Sequence, residues 1–243
     1  RNTKHFKMKL FFKNSTGALS VLAKAMQPCV IVLLCGILLP LQGCKGQQKK
    51  PVPSESSEIY TFERGNPNGI GKWYLEREIA HVMGFQGMDW LNRPEREQEE
   101  NVSILLKNME IQATDIIADI GAGSGYHVFK IAPTATKGTV YAVEMLAEMR
   151  LQKQSTGSNN VKLIKGSEQS ANLPENSIDK VLMVDVYHEF NYPLEMLLSI
   201  KKAMKPDAKI FLIEYRGEDA SIPIKTIHKM TQLQAVKEFK TAG

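Results

Sequence analysis

Beyond Cys44 the sequence has no cysteine: Cys29, Cys35 and Cys44 all lie near the N-terminus. That excludes a disulfide framework and a cysteine-based metal site from everything downstream. Acidic residues are missing from the opposite part of the chain. Residues 1–43 carry Arg1, Lys4, Lys7, Lys9, Lys13 and Lys24 and neither Asp nor Glu. The 243 residues hold 31 basic and 26 acidic side chains, a net charge of +5; without that first stretch 25 basic residues face the 26 acidic ones. The basicity therefore belongs to the N-terminal stretch, and the rest gives no electrostatic reason to expect nucleic acid as a partner. An apolar run of roughly 20 residues, enough for a membrane-spanning helix, is also missing. So is any internal repeat. His5, His81, His127 and His228 show no metal-ligand spacing, and no metal is expected.

Residues 1–43 read as a leader. Basic residues come first, and the apolar run Val30–Leu41 follows, about a dozen residues long, which is the length of a secretion signal. It ends in Leu41-Gln42-Gly43-Cys44. This resembles the lipobox of bacterial lipoproteins, which implies cleavage after small Gly43 and lipidation of Cys44. Gln42 is a less usual filler of that motif, and the other reading is an uncleaved anchor in which Cys44 has no special role. Residues 44–58, rich in Lys, Gln, Pro and Ser, cannot bury a core and read as a flexible tether. The expected location is the bacterial cell envelope, lipid-anchored; the alternative is the cytosolic face behind an uncleaved anchor.

From residue 59 the pattern changes. Leu75, Ile79, Val82 and Met83 recur at helical spacing, and Asn92-Arg93-Pro94 followed by Glu95, Glu97, Glu99 and Glu100 reads as the start of a helix running to about Met109. Residues 59–110 are thus expected to form an N-terminal helical lid. Residues 111–243 alternate short β-rich runs with helical stretches. Strands are expected at Ile116–Ile120, Thr139–Glu144, Val161–Lys165, Ile178–Asp185 and Lys209–Tyr215. Helices are expected at Tyr126–Ile131, Leu146–Gln154 and Pro193–Met204, the last with a core stripe of Leu194, Leu197 and Leu198. A final helix begins at Thr231, with Gln234 placed to complete a capping box. The expected fold class is α/β, a Rossmann-like, doubly wound, mostly parallel sheet.

One segment carries the chemistry. Asp119-Ile-Gly121-Ala122-Gly123-Ser-Gly125-Tyr126 follows a strand and opens a helix. Glycines there let the backbone turn sharply and approach a ligand closely. A dinucleotide-binding dehydrogenase would carry G-x-G-x-x-G, but its third glycine falls on Tyr126. Glu144 ends the next strand, about twenty residues on, where a carboxylate can accept hydrogen bonds from ribose hydroxyls. Lys165-Gly-Ser167-Glu168, Leu173-Pro-Glu-Asn-Ser-Ile-Asp179 and Val184-Asp185-Val-Tyr187-His188-Glu189 complete the polar clusters, at the carboxyl ends of strands where such sheets bind ligands.

Over about residues 95–243 these motifs resemble the class I S-adenosylmethionine-dependent methyltransferases, in their small-molecule branch. The resemblance implies S-adenosylmethionine as cofactor. Its methionine portion would lie against Asp119, Gly121, Ala122, Gly123 and Gly125, its ribose against Glu144, and its adenine against Met145. Where the family often has an Asp for the adenine amino group, this chain has Ser167 followed by Glu168. Asp185 reads either as the floor of the methionine pocket or as a cap on its own turn. Tyr187, His188 and Glu189 stand where an acceptor meets the sulfonium. His188 reads as a general base oriented by Glu189, or as a packed strand-end residue, since methyl transfer is driven mostly by positioning. Tyr126 and Tyr187 could turn their rings to the cation or pack.

The implied function is methyl transfer to a small or lipid-like acceptor by a protein tethered to the membrane through Cys44. The competing readings are a non-catalytic cofactor-binding lipoprotein module and, third, a nicotinamide dehydrogenase. Two departures stand out. The family ends in a sixth strand and a seventh, antiparallel one, and no strand signal follows Gly243's helix, so a C-terminally truncated domain with an exposed fifth strand is expected. An exported lipoprotein would also be separated from S-adenosylmethionine, which is made in the cytosol.

Overall fold

The computed structural model describes residues 7–13, 19–22, 59–82, 91–143 and 157–243, the first two segments as backbone strands only. A seven-stranded sheet organises them. In chain order its strands are β1 (Lys7–Lys13), β2 (Leu19–Leu22), β6 (Ile116–Ile120), β7 (Thr139–Val143), β8 (Val161–Ile164), β9 (Ile178–Val184) and β10 (Met204–Tyr215). Strands β3 (Tyr60–Phe62), β4 (Gly69–Tyr74) and β5 (Arg77–Ala80) form a separate antiparallel sheet.

The large sheet runs β2-β1-β10-β9-β6-β7-β8, parallel throughout except for β2 against β1. From β6 the chain winds outward through β7 to β8, then crosses back to β9 and β10. The direction of winding therefore reverses between β6 and β9, which leaves a crevice at their carboxyl ends. Alternate residues of the central strands feed two cores, as a two-residue period requires. Ile117, Leu182, Phe211 and Ile213 pack with Leu105, Met109, Val128 and Ile131 of the helices α2 (Val102–Met109) and α3 (Tyr126–Ile131). Ala118, Val181, Met183 and Leu212 pack with Leu197, Ile200, Ala235 and Phe239 of α4 (Pro193–Ala203) and α5 (Gln232–Thr241). Helices on both faces make the sheet doubly wound, as expected.

The expected helical lid is half wrong. Residues 73–83 were to be helical, but β4 and β5 form a hairpin across Leu75 (φ 49) and Glu76 (φ 72), with Tyr74 paired to Arg77. Two consecutive left-handed residues give the turn that matches strand twist. The apolar residues at helical spacing are equally well read as a strand: Ile79 is buried in the sheet, while Val82 is 62% exposed. Farther on, the single expected helix is split into α1 (Arg96–Glu100) and α2 at Asn101, whose φ is 50. Asparagine tolerates that conformation, so the break costs little.

The sheet edge is the second correction. The fifth strand of the series, β10, was expected to lie exposed because a terminal strand pair was missing. Instead β1 pairs with it in parallel from Lys7↔Lys209 to Lys13↔Tyr215, and β2 covers β1. Residues assigned to the leader thus supply two strands. A bare edge presents a row of unpaired N–H and C=O groups, and the alternative to leaving them wet is to pair them. The expected helix Leu146–Gln154, Glu144, Met145 and Cys44 lie outside the described residues.

Smaller features follow local rules. Pro193 opens α4, with Glu195 in its first turn and Lys201 and Lys202 in its last. Leu197 is buried, but Leu198, read as part of the core stripe, is 47% exposed. Thr231 caps α5 by accepting from the Gln234 N–H at 3.1 Å. The Gln234 side chain does not return the bond, so the expected capping box is only half formed; it donates to the Leu75 carbonyl and Glu238 instead.

Candidate active site

The glycine loop leaves β6 at the reversal of winding. Gly121, Gly123 and Gly125 have φ of 70, 54 and 83, conformations that cost other residues roughly 1–2 kcal/mol. A Cβ on Gly121 would collide with the Val186 side chain, which follows β9. The two strand ends therefore touch through a glycine. The Gly121 and Ala122 N–H groups donate to the Val143 carbonyl at 3.0 and 3.3 Å, tying the loop to the end of β7. Asp119, the penultimate residue of β6, is almost fully buried.

Part of the expected lid does lean on this loop. The Ser124 hydroxyl donates to Asn92 Oδ1 at 2.7 Å, and Leu91 lies against Gly123. Arg96 fixes that segment by donating to the Leu91 carbonyl at 2.7 Å. Its guanidinium also sits 4.4 Å from the centre of the Tyr126 ring, with Lys130 at 5.0 Å. Tyr126 therefore spends its ring on this chain's own cations, and a role facing a sulfonium is not supported.

Ser167 and Glu168 are exposed beyond β8. Ser167 closes a local turn by accepting from the Ser170 N–H at 3.0 Å, and Glu168 accepts from Asn191 at 2.9 Å. Asp185 sits half-buried at the carboxyl end of β9 with φ 51, its N–H bonded to the Ile213 carbonyl at 2.9 Å.

Of the three residues expected at the acceptor, Tyr187 is misassigned. Its side chain is wholly buried between Phe190 and Phe239, and its hydroxyl donates to Glu238 Oε2 at 2.7 Å. Burial, reinforced by the Glu238 charge, pushes its pKa well above the usual phenol value. Glu238 is in turn gripped by Arg77, whose Nε and Nη2 donate to it at 2.6 and 2.9 Å while Nη1 reaches the His188 carbonyl at 3.1 Å. This buried fork joins the hairpin, α5 and the segment after β9, and has no local sequence signal: Arg77 and Glu238 are 161 residues apart.

His188 and Glu189 are brought into a polar centre, but not as expected. The partner that orients His188 is Glu214 of β10, fully buried, whose Oε2 lies 2.7 Å from His188 Nδ1 while Oε1 accepts the Tyr187 N–H at 3.0 Å. Glu189 lies on the other side of the ring, 3.7 Å from Nε2. Burial acts to lower the His188 pKa; Glu214 foremost, with Glu189 and Asp185, outweighs it and holds the pKa above the ordinary histidine value. His228, from the 3-10 turn Thr226–His228, completes the group with Nδ1 3.2 Å from His188 Nε2 and 3.5 Å from Glu189. The sequence reading missed Glu214 and His228. Glu214 stands near the end of the fifth strand, where the rule that had picked out Asp185 would have found it. His228 is reached only through the fold, so the expectation of no metal-binding group rests on spacing alone.

Comparison with known proteins bears on this arrangement. Residues 118–212 match the methyltransferase domain family. The uncharacterized methyltransferase YdaC of Bacillus subtilis (strain 168) is 29% identical over 140 residues, covering 57% of this chain and 76% of that protein. The uncharacterized methyltransferase YcgJ of the same organism is 21% identical over 137 residues, covering 56% of this chain and 54% of its own length, so this chain spans about half of it. Among solved structures, a SAM dependent methyltransferase from Aquifex aeolicus superposes with a TM-score of 0.62 at 23% identity, over 66% of this chain and 88% of that one; this likeness is one of fold. The chain fits the cofactor these matches imply: three left-handed glycines keep the loop backbone open beside buried Asp119, at the reversal of winding. Residues 118–212 are thus similar to the methyltransferase domain family, the solved structure shares the fold, and the matches indicate S-adenosylmethionine as the cofactor.

Proposed function

We propose that the chain is an S-adenosylmethionine-dependent methyltransferase acting on a small or lipid-like acceptor. The observation that carries this reading is the Gly121–Gly125 loop, held open between β6, β7 and Val186 with Asp119 buried beneath it. The cofactor supplies a methyl group activated by a sulfonium. Asp119 and the loop backbone bind its methionine portion, with Glu144, Met145, Ser167, Glu168 and Asp185 as the further contacts expected from the sequence. Leu91 and Asn92 pack against the loop from the preceding segment. His188, steered by Glu214, and Glu189 form a polar centre with the more exposed His228, against which the acceptor would be held; Tyr187 supports them from the core. Because displacement at the methyl carbon is governed by alignment, holding the acceptor is the main contribution required of these residues.

For location, the pairing of β1 with β10 supports retention of the N-terminal strands over processing at Cys44, and with it the reading of a cytosolic face behind an uncleaved anchor, the side where S-adenosylmethionine is made. Cleavage at Cys44 would remove both N-terminal strands. Among the described residues no helix is long and apolar enough to cross a membrane.

Isothermal titration of the full chain with S-adenosylmethionine and S-adenosylhomocysteine tests the function. Saturable binding, abolished by Asp119→Ala in a variant that still folds, is the expected result. Absence of heat at millimolar ligand would remove the basis for methyl transfer.

A further inference from the structure

We propose that His188, Glu189 and His228 form a three-ligand site for a divalent transition metal of the zinc class, with one coordination position open. The donor atoms are His188 Nε2, His228 Nδ1 and Glu189 Oε1, separated by 3.2, 3.5 and 3.7 Å. An ion bound tetrahedrally at about 2.0–2.1 Å by nitrogen and oxygen sets its ligands roughly 3.3–3.4 Å apart. The three separations bracket that spacing, and the three residues can each offer one ligand atom.

The chemistry of the donors agrees. Two imidazoles and a carboxylate suit a borderline cation such as zinc better than magnesium or calcium, which prefer all-oxygen sets. A metal-binding histidine commonly donates its other ring N–H to a carboxylate, which fixes the tautomer and aims the free lone pair at the ion. His188 has this partner in Glu214, 2.7 Å from Nδ1 and itself held by the Tyr187 N–H. His188 and Glu189 are buried, whereas the His228 side chain is 19% exposed, so the accessible side of the centre is the His228 side. Three protein ligands with one open position is the pattern of sites that take water or substrate, in contrast to closed four-ligand structural sites.

The ligands come from the turn after β9 and the turn after β10, beside the segment whose Val186 packs on Gly121. Resting on the methyltransferase reading, the open position holds the acceptor's oxygen or nitrogen and makes it more acidic. The site itself does not depend on that reading.

The test uses the full chain without a histidine tag, stripped with chelator and titrated with zinc chloride, the retained metal being counted by mass spectrometry after gel filtration. One zinc per chain is expected. His228→Ala, at a partly exposed position, should weaken binding at least 100-fold, and Glu214→Gln about 10–100-fold through loss of the ring's orienting partner. Cobalt in place of zinc should give the intense visible absorption of a four-coordinate ion in the wild type and not in His228→Ala. Far-UV circular dichroism of the metal-free proteins checks that the variants fold. Sub-stoichiometric zinc in the wild type, or unchanged affinity in folded His228→Ala, would overturn the proposal and leave a plain His188–His228 hydrogen bond. Zinc binding without S-adenosylmethionine binding would uphold the site and sink the methyl-transfer reading instead.

Discussion

Gly121 shows how much one residue can decide. Its φ of 70 strains any side chain, and the space where a Cβ would go is filled by Val186. Gly121→Ala therefore incurs a backbone cost of roughly 1–2 kcal/mol and an overpacking cost of about 1–3 kcal/mol. The expected outcome is a lower melting temperature together with lost cofactor affinity, read by calorimetry. Adding Val186→Ala should recover part of the stability, since it relieves the collision but not the dihedral strain. This residue was legible in the sequence because only glycine serves such a turn. His188 was only half legible: its position after the fourth strand of the parallel series marked it as polar and functional, but its partners Glu214 and His228 come from later elements. No spacing rule joins residues that meet because strands β9 and β10 pair side by side.

At the scale of elements, the β4–β5 hairpin is the informative piece. Its turn residues Leu75 and Glu76 both have positive φ without being glycine. The Leu75 carbonyl accepts from Gln234 and Lys237 at 2.9 and 3.1 Å, so α5 holds the turn from outside. Glu76→Gly should raise stability by about 1 kcal/mol, because it removes strain and loses only an exposed pair with Lys237 of small worth. A rise of roughly 2–4 °C in melting temperature would be the sign. Beneath the turn, the Arg77–Glu238 fork is almost fully buried. Removing one partner strands the other charge in the core, so Arg77→Met is expected to cost about 3–5 kcal/mol in a denaturant melt. Arg77→Met with Glu238→Leu should recover much of that loss, although Tyr187 then loses its acceptor. If the double variant were no more stable than Arg77→Met, the fork would not be the cause.

For the molecule as a whole, the N-terminal strands carry the largest consequence. Strand β1 aligns seven residues against β10, from Lys7↔Lys209 to Lys13↔Tyr215. Deleting residues 1–22 bares that edge and should lower the melting temperature and promote association, seen by light scattering coupled to gel filtration. A monomeric deletion variant that melts like the full chain would show the pair to be dispensable. The same strands set processing against folding. Mass spectrometry of the expressed protein should find residues 1–43 retained; a lipidated Cys44 at the N-terminus would show a domain that works without β1 and β2.

What the sequence determined by itself was everything governed by short range. The βα alternation of residues 111–243 pointed to the parallel sheet, and Asp119–Gly125 to the sharply turning glycine loop, because strand periodicity and glycine conformations are local properties. Tertiary structure alone decided which distant residues meet. It turned the first half of the expected lid into a hairpin, since the positive φ values at Leu75 and Glu76 persist where α5 bonds the turn. It gave the edge of β10 to residues 7–13, and it set His228 and Glu214 on either side of His188. Backbone hydrogen bonding and burial reward proximity in space regardless of separation along the chain, and that information is not written in any window of the sequence.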